Sequence, residues 1–239
     1  MSNITYVTCL VAMPDDRVSV EERLTWIQPL LDCSLNLLIF TDETYAPHLS
    51  GQPQVKLLDV ENLETFKSVR TANPKLPLVR NETKDTLNFL ALMNSKPELL
   101  LLAKPFVSTP YVAYIDAGIS KVFKEPGTLK SLEALQVHNI PLVLMPGCHP
   151  IREVESFPFL WKGIHWMLSG GFFVVPTMCI SEFYELHAEA LQKFLNVGAI
   201  TWEVNVWASF FHRVSDRVVW YLGLHTDDMV LAIPDRVKL

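Results

Sequence analysis

The chain has 239 residues, 49% of them hydrophobic, and carries 20 Lys+Arg against 26 Asp+Glu for a net charge of −6. Such a length buries a full core, as one large domain or two closely joined lobes, and the acidic balance argues against a nucleic-acid groove as the main business. No apolar run approaches the roughly 18 residues of a membrane span, and Cys9, Cys33, Cys148 and Cys179 lack the spacing of a zinc site or a redox pair.

Residues 4–13 (ITYVTCLVAM) read as a first strand, with no basic-then-apolar leader pattern before them. A soluble, reduced, cytoplasmic protein is the expectation. Val20, Leu24, Ile27 and Leu31 then recur at helical spacing. Residues 35–40 (LNLLIF) are the second strand and residues 55–60 a shorter third. This order opens like a parallel nucleotide-binding sheet, although no GxGxxG follows any strand. Residues 61–81 are polar and broken by Pro74 and Pro77. Asn81 is the expected N-cap of a helix from residue 82, with Leu87, Leu90 and Met93 on its apolar face. Pro97 stops or kinks that helix, and Ser95-Lys96-Pro97-Glu98 has the capping-box pattern of a second short helix ending at Ala103.

The stretch 111–120 (YVAYIDAGIS) is an apolar strand that runs into Asp116 and a turn at Gly118. Chemistry in open α/β sheets collects beyond the C-terminal ends of such strands, whereas the plain alternative is a turn-capping Asp. A crossover helix is expected over 129–136 and a strand over 140–145. Residues 146–168 form a long connection rich in aromatics (Phe157, Phe159, Trp161, His165, Trp166), read as a lid or acceptor platform. Residues 170–176 enter a strand through Gly170-Gly171. A strong amphipathic helix follows from Thr177 to Gly198, with His187 on its buried face. Thr201 is the expected cap of a helix with Val204, Trp207, Ala208 and Phe211 inside, and a late strand over 218–224 delivers His225, Asp227 and Asp228.

Four polar stations stand against this apolar frame: Arg80, Asp116, Glu203, and His225 with Asp227. Gly170-Gly171 adds bare backbone against which a bulky ligand can lie. Each station has a plainer reading as well. Glu203 suits the first turn of any helix, His225 can be a strand-end residue, and Arg80 can anchor its own loop.

The order IDAG, HWMLSGGFFVVP, TWEVNVWA and a late His, preceded by VRNETKDTLNFLALMNSK, resembles the HtrL/YibB family of predicted glycosyltransferases over roughly residues 79–230. The resemblance implies an α/β fold: a GT-A-like single domain with a Rossmann-like, mostly parallel central sheet flanked by helices. Residues 1–118 would be the nucleotide-binding half and 119–239 the acceptor-binding half. It implies an enzyme moving a sugar from a nucleotide-sugar donor, UDP-sugar favoured, to a saccharide acceptor in glycan assembly. The alternative is a non-catalytic, sugar-binding or scaffold module of the same shape.

In many GT-A enzymes a DxD motif holds a divalent cation on the donor diphosphate. Here the second Asp is Gly118, so a Mn²⁺ or Mg²⁺ ion would need His225 beside Asp116. Positive side chains are the other way to neutralise the diphosphate, and Arg80, Lys84 and Lys96 precede the acidic strand. The expected roles follow. Asp116 and Glu203 are catalytic, Glu203 as base. Arg80, Lys84, Asp116, Gly118, Gly170, Gly171 and His225 contact the donor. Trp161, His165, Trp166, Trp202 and Asp227 contact the acceptor.

Overall fold

A computed structural model describes residues 2–15, 17–52, 54–150 and 157–239. Seven strands form one sheet: β1 (Ile4–Leu10), β2 (Leu37–Thr41), β3 (Val55–Leu57), β4 (Tyr111–Ile115), β5 (Val143–Gly147), β6 (Phe172–Pro176) and β7 (Val218–Leu222). Their order is β3-β2-β1-β4-β6-β5-β7. Every pairing is parallel except the two made by β6, which runs against both β4 and β5. This is the mostly parallel α/β architecture, with helices on both faces, expected of the chain, with one reversed strand that short apolar runs cannot announce.

The helices are α1 (Val20–Leu31), α2 (Glu64–Ala72), α3 (Leu87–Asn94), α4 (Lys96–Ala103), α5 (Thr128–Ala134), α6 (Phe157–Lys162), α7 (Ile180–Asn196), α8 (Glu203–Phe211) and α9 (Asp228–Leu231). The strands alternate cleanly between two cores. Val7, Cys9, Val112, Tyr114, Phe173 and Val175 join α2, α3, α4, α7 and α8 on one face. Ile4, Tyr6, Ala113, Ile115, Phe172 and Val174 join α1, α5 and α9 on the other. Period-two alternation is what puts both faces of a central strand to use.

Several local expectations are corrected. Residues 61–81 contain α2, whose buried face is only Thr65, Phe66 and Val69, too sparse to betray a helix. Asn81 caps a turn by accepting from the Thr83 and Lys84 N–H groups, and α3 begins later, capped by Thr86. The break at Pro97 is real, but there is no capping box. Ser95 Oγ donates back to the Ala91 carbonyl, and Glu98 instead receives the Glu64 and Thr65 N–H groups at the start of α2. Thr201 does not cap α8 either; its hydroxyl donates to the Leu160 carbonyl. Gly118, at φ −100° and ψ 20°, has a backbone open to any residue, so the turn there does not demand glycine. Residues 151–156 of the aromatic connection lie outside the described residues, and its described end carries α6.

Candidate functional site

The carboxyl ends of β4, β5 and β7 and the amino end of the reversed β6 share one edge of the sheet. That edge gathers Asp116, Gly170-Gly171 and His225, which are far apart in sequence. Asp116 continues the row Val112–Tyr114, so it leaves β4 on the face covered by α4 and α8. There it meets Lys96, the first residue of α4, and Glu203, the first residue of α8.

Lys96, expected among the cations for a diphosphate, is instead buried. It is only 1% exposed. Its ammonium donates to the Gly170 carbonyl at 2.9 Å and to Glu203 Oε1 at 2.8 Å, and lies 3.1 Å from Asp116 Oδ1. Two of the three N–H donors of the ammonium are thus spent on hydrogen bonds, and its charge pairs with Asp116. Burial alone would lower the Lys96 pKa, but the charges of Asp116 and Glu203 more than offset it and hold it above the usual range. Burial pushes Glu203 up, against the pull of Lys96.

The glycine pair divides the space. A Cβ at Gly170 would fall 2.2 Å from Glu203 Oε1, so only glycine lets that carboxylate lie beneath the strand entry. A Cβ at Gly171 would stand 3.4 Å from both Asp116 Oδ2 and His225 Cε1, so the acid and the imidazole flank one point on bare backbone. The Gly171 carbonyl in turn receives the Asp116 N–H at 2.9 Å.

His225 Nδ1 lies 3.2 Å from the buried Ser169 hydroxyl, which also lies 3.1 Å from Met229 Sδ. In the tautomer with Nδ1 protonated Ser169 accepts from it and the lone pair is on His225 Nε2; in the other tautomer Ser169 donates to Nδ1. Burial lowers the His225 pKa; Asp116 opposes this, and Lys96 and Lys84 reinforce it. A neutral ring at neutral pH is the consequence. Trp166 lies beside it, 39% exposed, with ring centroids 5.4 Å apart.

Cations crowd this edge. Lys121 is held below the usual lysine range by burial first and then, against the pull of Glu22, by the charges of Lys84 and Arg23. Its ammonium sits 3.2 Å above the Trp26 ring. Trp26 and Lys121 also line a cleft of about 280 Å³ with Pro29, Phe123 and Lys124.

Other expected site residues lie elsewhere or are otherwise engaged. Arg80 bonds back to the Pro77 carbonyl of its own loop. Asp227 receives Lys124 N–H, Glu125 N–H and the Thr128 hydroxyl at the start of α5, so its carboxylate is consumed by the fold. Trp202 is 5% exposed and its indole N–H reaches Asp85, so it presents no stacking face. Trp161 donates to the Lys75 carbonyl, and His165 stacks on Phe159 at 3.8 Å. Glu203 is buried beneath Gly170 and paired with Lys96, which suits a positioning carboxylate better than a base for an acceptor hydroxyl.

The string TWEVNVWA gains a physical reading here. Thr201 and Asn205 hold the 160–165 segment through the Leu160 and Gly163 carbonyls and the His165 N–H, while Glu203 takes Lys96. Trp207 packs against Phe173 and Phe183 in the core.

No protein-family model matches the chain, and no curated protein matches its sequence. Among solved structures the chain is similar to the bifunctional IspDF from Campylobacter jejuni, at 8% identity over 93% of this chain and 50% of that one, with a TM-score of 0.41. It therefore spans half the length of that protein. It is similar to a glycosyltransferase involved in the glycosylation of the major capsid of PBCV-1, at 13% identity over 92% and 81% of the two chains, TM-score 0.40. It is also similar to the inositol-1-phosphate CTP transferase from T. maritima, at 11% identity over 84% of each chain, TM-score 0.39. Nucleotidyl- and glycosyltransferases thus stand among the similar structures; likenesses this distant assign no chemistry to the site. Among the described residues no helix is long and apolar enough to cross a membrane.

Proposed function

We propose that the chain is a nucleotide-sugar-dependent glycosyltransferase of HtrL/YibB type, acting on a saccharide acceptor in glycan assembly. The observation that carries this reading is the pairing of Asp116 and neutral His225 across Gly171, at the carboxyl edge of a GT-A-like sheet. Lys84, Lys121 and Arg23 sit near that edge, and they suit the charge of a departing nucleoside diphosphate, UDP in the favoured case.

Among the described residues no three His, Cys, Asp or Glu side chains are grouped to hold a metal ion. Asp116 and His225 would supply two ligands of the kinds that Mn²⁺ accepts, with donor phosphates and water completing the set. When bound, such an ion would neutralise charge on the leaving diphosphate. Lys96 already answers two carboxylates, Asp116 and Glu203, so the exposed side of Asp116 suits a cation better than a bare anion. The neutral His225 ring can instead take the acceptor proton when no ion occupies it. Trp166 offers the acceptor sugar an exposed ring beside His225.

Binding of UDP-sugars, with and without Mn²⁺, tests the reading by calorimetry. Mn²⁺-strengthened binding that Asp116→Asn abolishes is the expected result. Equal binding by both proteins removes Asp116 from the site.

A further inference from the structure

We infer that Lys96 and Glu203 act as one buried tether that fixes the orientation of Asp116, and that neither touches the substrate. The inference rests on the donor-site reading above only for its kinetic consequence. The geometry behind it is independent of that reading. Lys96 gives hydrogen bonds to Gly170 O and Glu203 Oε1 and pairs by charge with Asp116 Oδ1 at 3.1 Å, so its ammonium is enclosed by these three groups. With 1% and 6% side-chain exposure, neither Lys96 nor Glu203 faces the cleft, whereas Asp116 is 33% exposed. One carboxylate oxygen of Asp116 is therefore held from below while the other looks toward Gly171 and His225.

The tether joins four segments: the start of α4, the tip of β4, the entry to β6 and the start of α8. Gly170 is the clearance that makes it possible, because a Cβ there would collide with the Glu203 carboxylate at 2.2 Å. A carboxylate at a strand tip otherwise rotates freely between water-exposed positions, and misplacement by an ångström costs about a hundredfold in rate. Glycine, lysine and glutamate at these three positions thus serve one purpose, the aim of a fourth residue.

The test is the double variant Lys96→Met/Glu203→Leu. Replacing both members of a buried pair with apolar groups of similar volume is commonly tolerated, whereas removing one strands a charge. Crystal structures of both proteins then report where the Asp116 carboxylate points. A folded double variant with Asp116 turned away from Gly171, and with kcat lowered about a hundredfold while donor KM moves less than about threefold, is the expected outcome. Asp116 unchanged in orientation overturns the tether, whatever the activity. Lack of nucleotide-sugar turnover in the wild-type protein refutes the donor reading alone, since the orientation of Asp116 is still read directly. Should the double variant not fold, Lys96→Met alone, which removes the group that holds Asp116 and leaves buried Glu203 to take up a proton, gives the same structural readout.

Discussion

Alanine at Gly170 and alanine at Gly171 should fail in different ways, because the two glycines are required for different reasons. Neither lies in the left-handed region, so backbone strain does not enter. At Gly170 the new Cβ meets Glu203 Oε1 at 2.2 Å and Val204 Cγ1 at 3.2 Å. Relief requires a backbone shift, costing about 1–3 kcal/mol, or loss of the Glu203–Lys96 pair, costing about 3–5 kcal/mol. A loss of about 3 kcal/mol is the working figure, and at 2–4 °C per kcal/mol that is a fall of roughly 6–12 °C in Tm. At Gly171 the only close contact, 2.9 Å, is to the flexible end of Ile119, and Asp116 Oδ2 and His225 Cε1 stand at an ordinary 3.4 Å. Stability should change by less than about 1 kcal/mol. The methyl group nevertheless fills the gap between acid and imidazole where the donor would lie. Overpacking of about 1–3 kcal/mol there weakens donor binding roughly 5- to 150-fold. Thermal melts and donor calorimetry on both variants separate the two effects. A Gly171→Ala protein that binds donor like the wild type, or melts as low as Gly170→Ala, refutes the reasoning.

Gly118→Asp should restore a second acid two residues beyond Asp116 without strain, since φ there is −100° and the nearest foreign atoms to a Cβ are 3.6 Å away. Mn²⁺ affinity in the presence of UDP is expected to rise about tenfold, because affinity follows the count of charged ligands; a titration followed by electron paramagnetic resonance checks it. His187 is 1% exposed in the core, and burial pushes its pKa down to about 3, slightly offset by the Asn94 backbone. The unfolded chain takes up this proton below about pH 6.5 and the folded chain does not, so stability falls as pH drops through the window from 6.5 to about 3. Between pH 7.5 and 5 the wild type should lose about 2 kcal/mol more than His187→Leu in urea titrations; parallel curves would contradict this. Trp166→Ala is expected to raise acceptor KM about tenfold with little effect on Tm, whereas Trp202→Ala should destabilise by about 3–5 kcal/mol, as truncation of a buried aromatic does. Steady-state kinetics and melts on the two proteins check the contrast.

Much of the frame is visible in the chain before any coordinates. The runs that became β1, β2 and β4 are apolar and β-branched, and Val20 to Leu31 and Ile180 to Asn196 repeat at helical spacing. The direction of β6 is not visible, because an apolar run of five reads the same both ways. Helix α2 escapes notice because two large apolar residues suffice to seat it against α7. At the site, the convergence of Asp116, Gly171 and His225 is anticipated by their places at element ends. The burial of Lys96, expected instead among the cations for a diphosphate, and the part of Ser169 are not, since a lysine after a serine in a polar stretch looks solvent-exposed. The parity of β4 held the missing clue: the row that buries Val112 and Tyr114 also aims Asp116 at whatever opens α4 and α8. Asp227 and Trp202 misled for the converse reason. Their chemistry suits a ligand, but the fold had already claimed it for the start of α5 and for Asp85.

The most direct test is to incubate the purified protein with a panel of UDP-, GDP-, CMP- and dTDP-sugars, with and without Mn²⁺, and to follow each donor by mass spectrometry. The account predicts that one donor is consumed, releasing its nucleoside diphosphate or monophosphate, and that Asp116→Asn stops this while retaining the wild-type melt. Failure to bind or consume any nucleotide sugar, or consumption that survives Asp116→Asn unchanged, would contradict it.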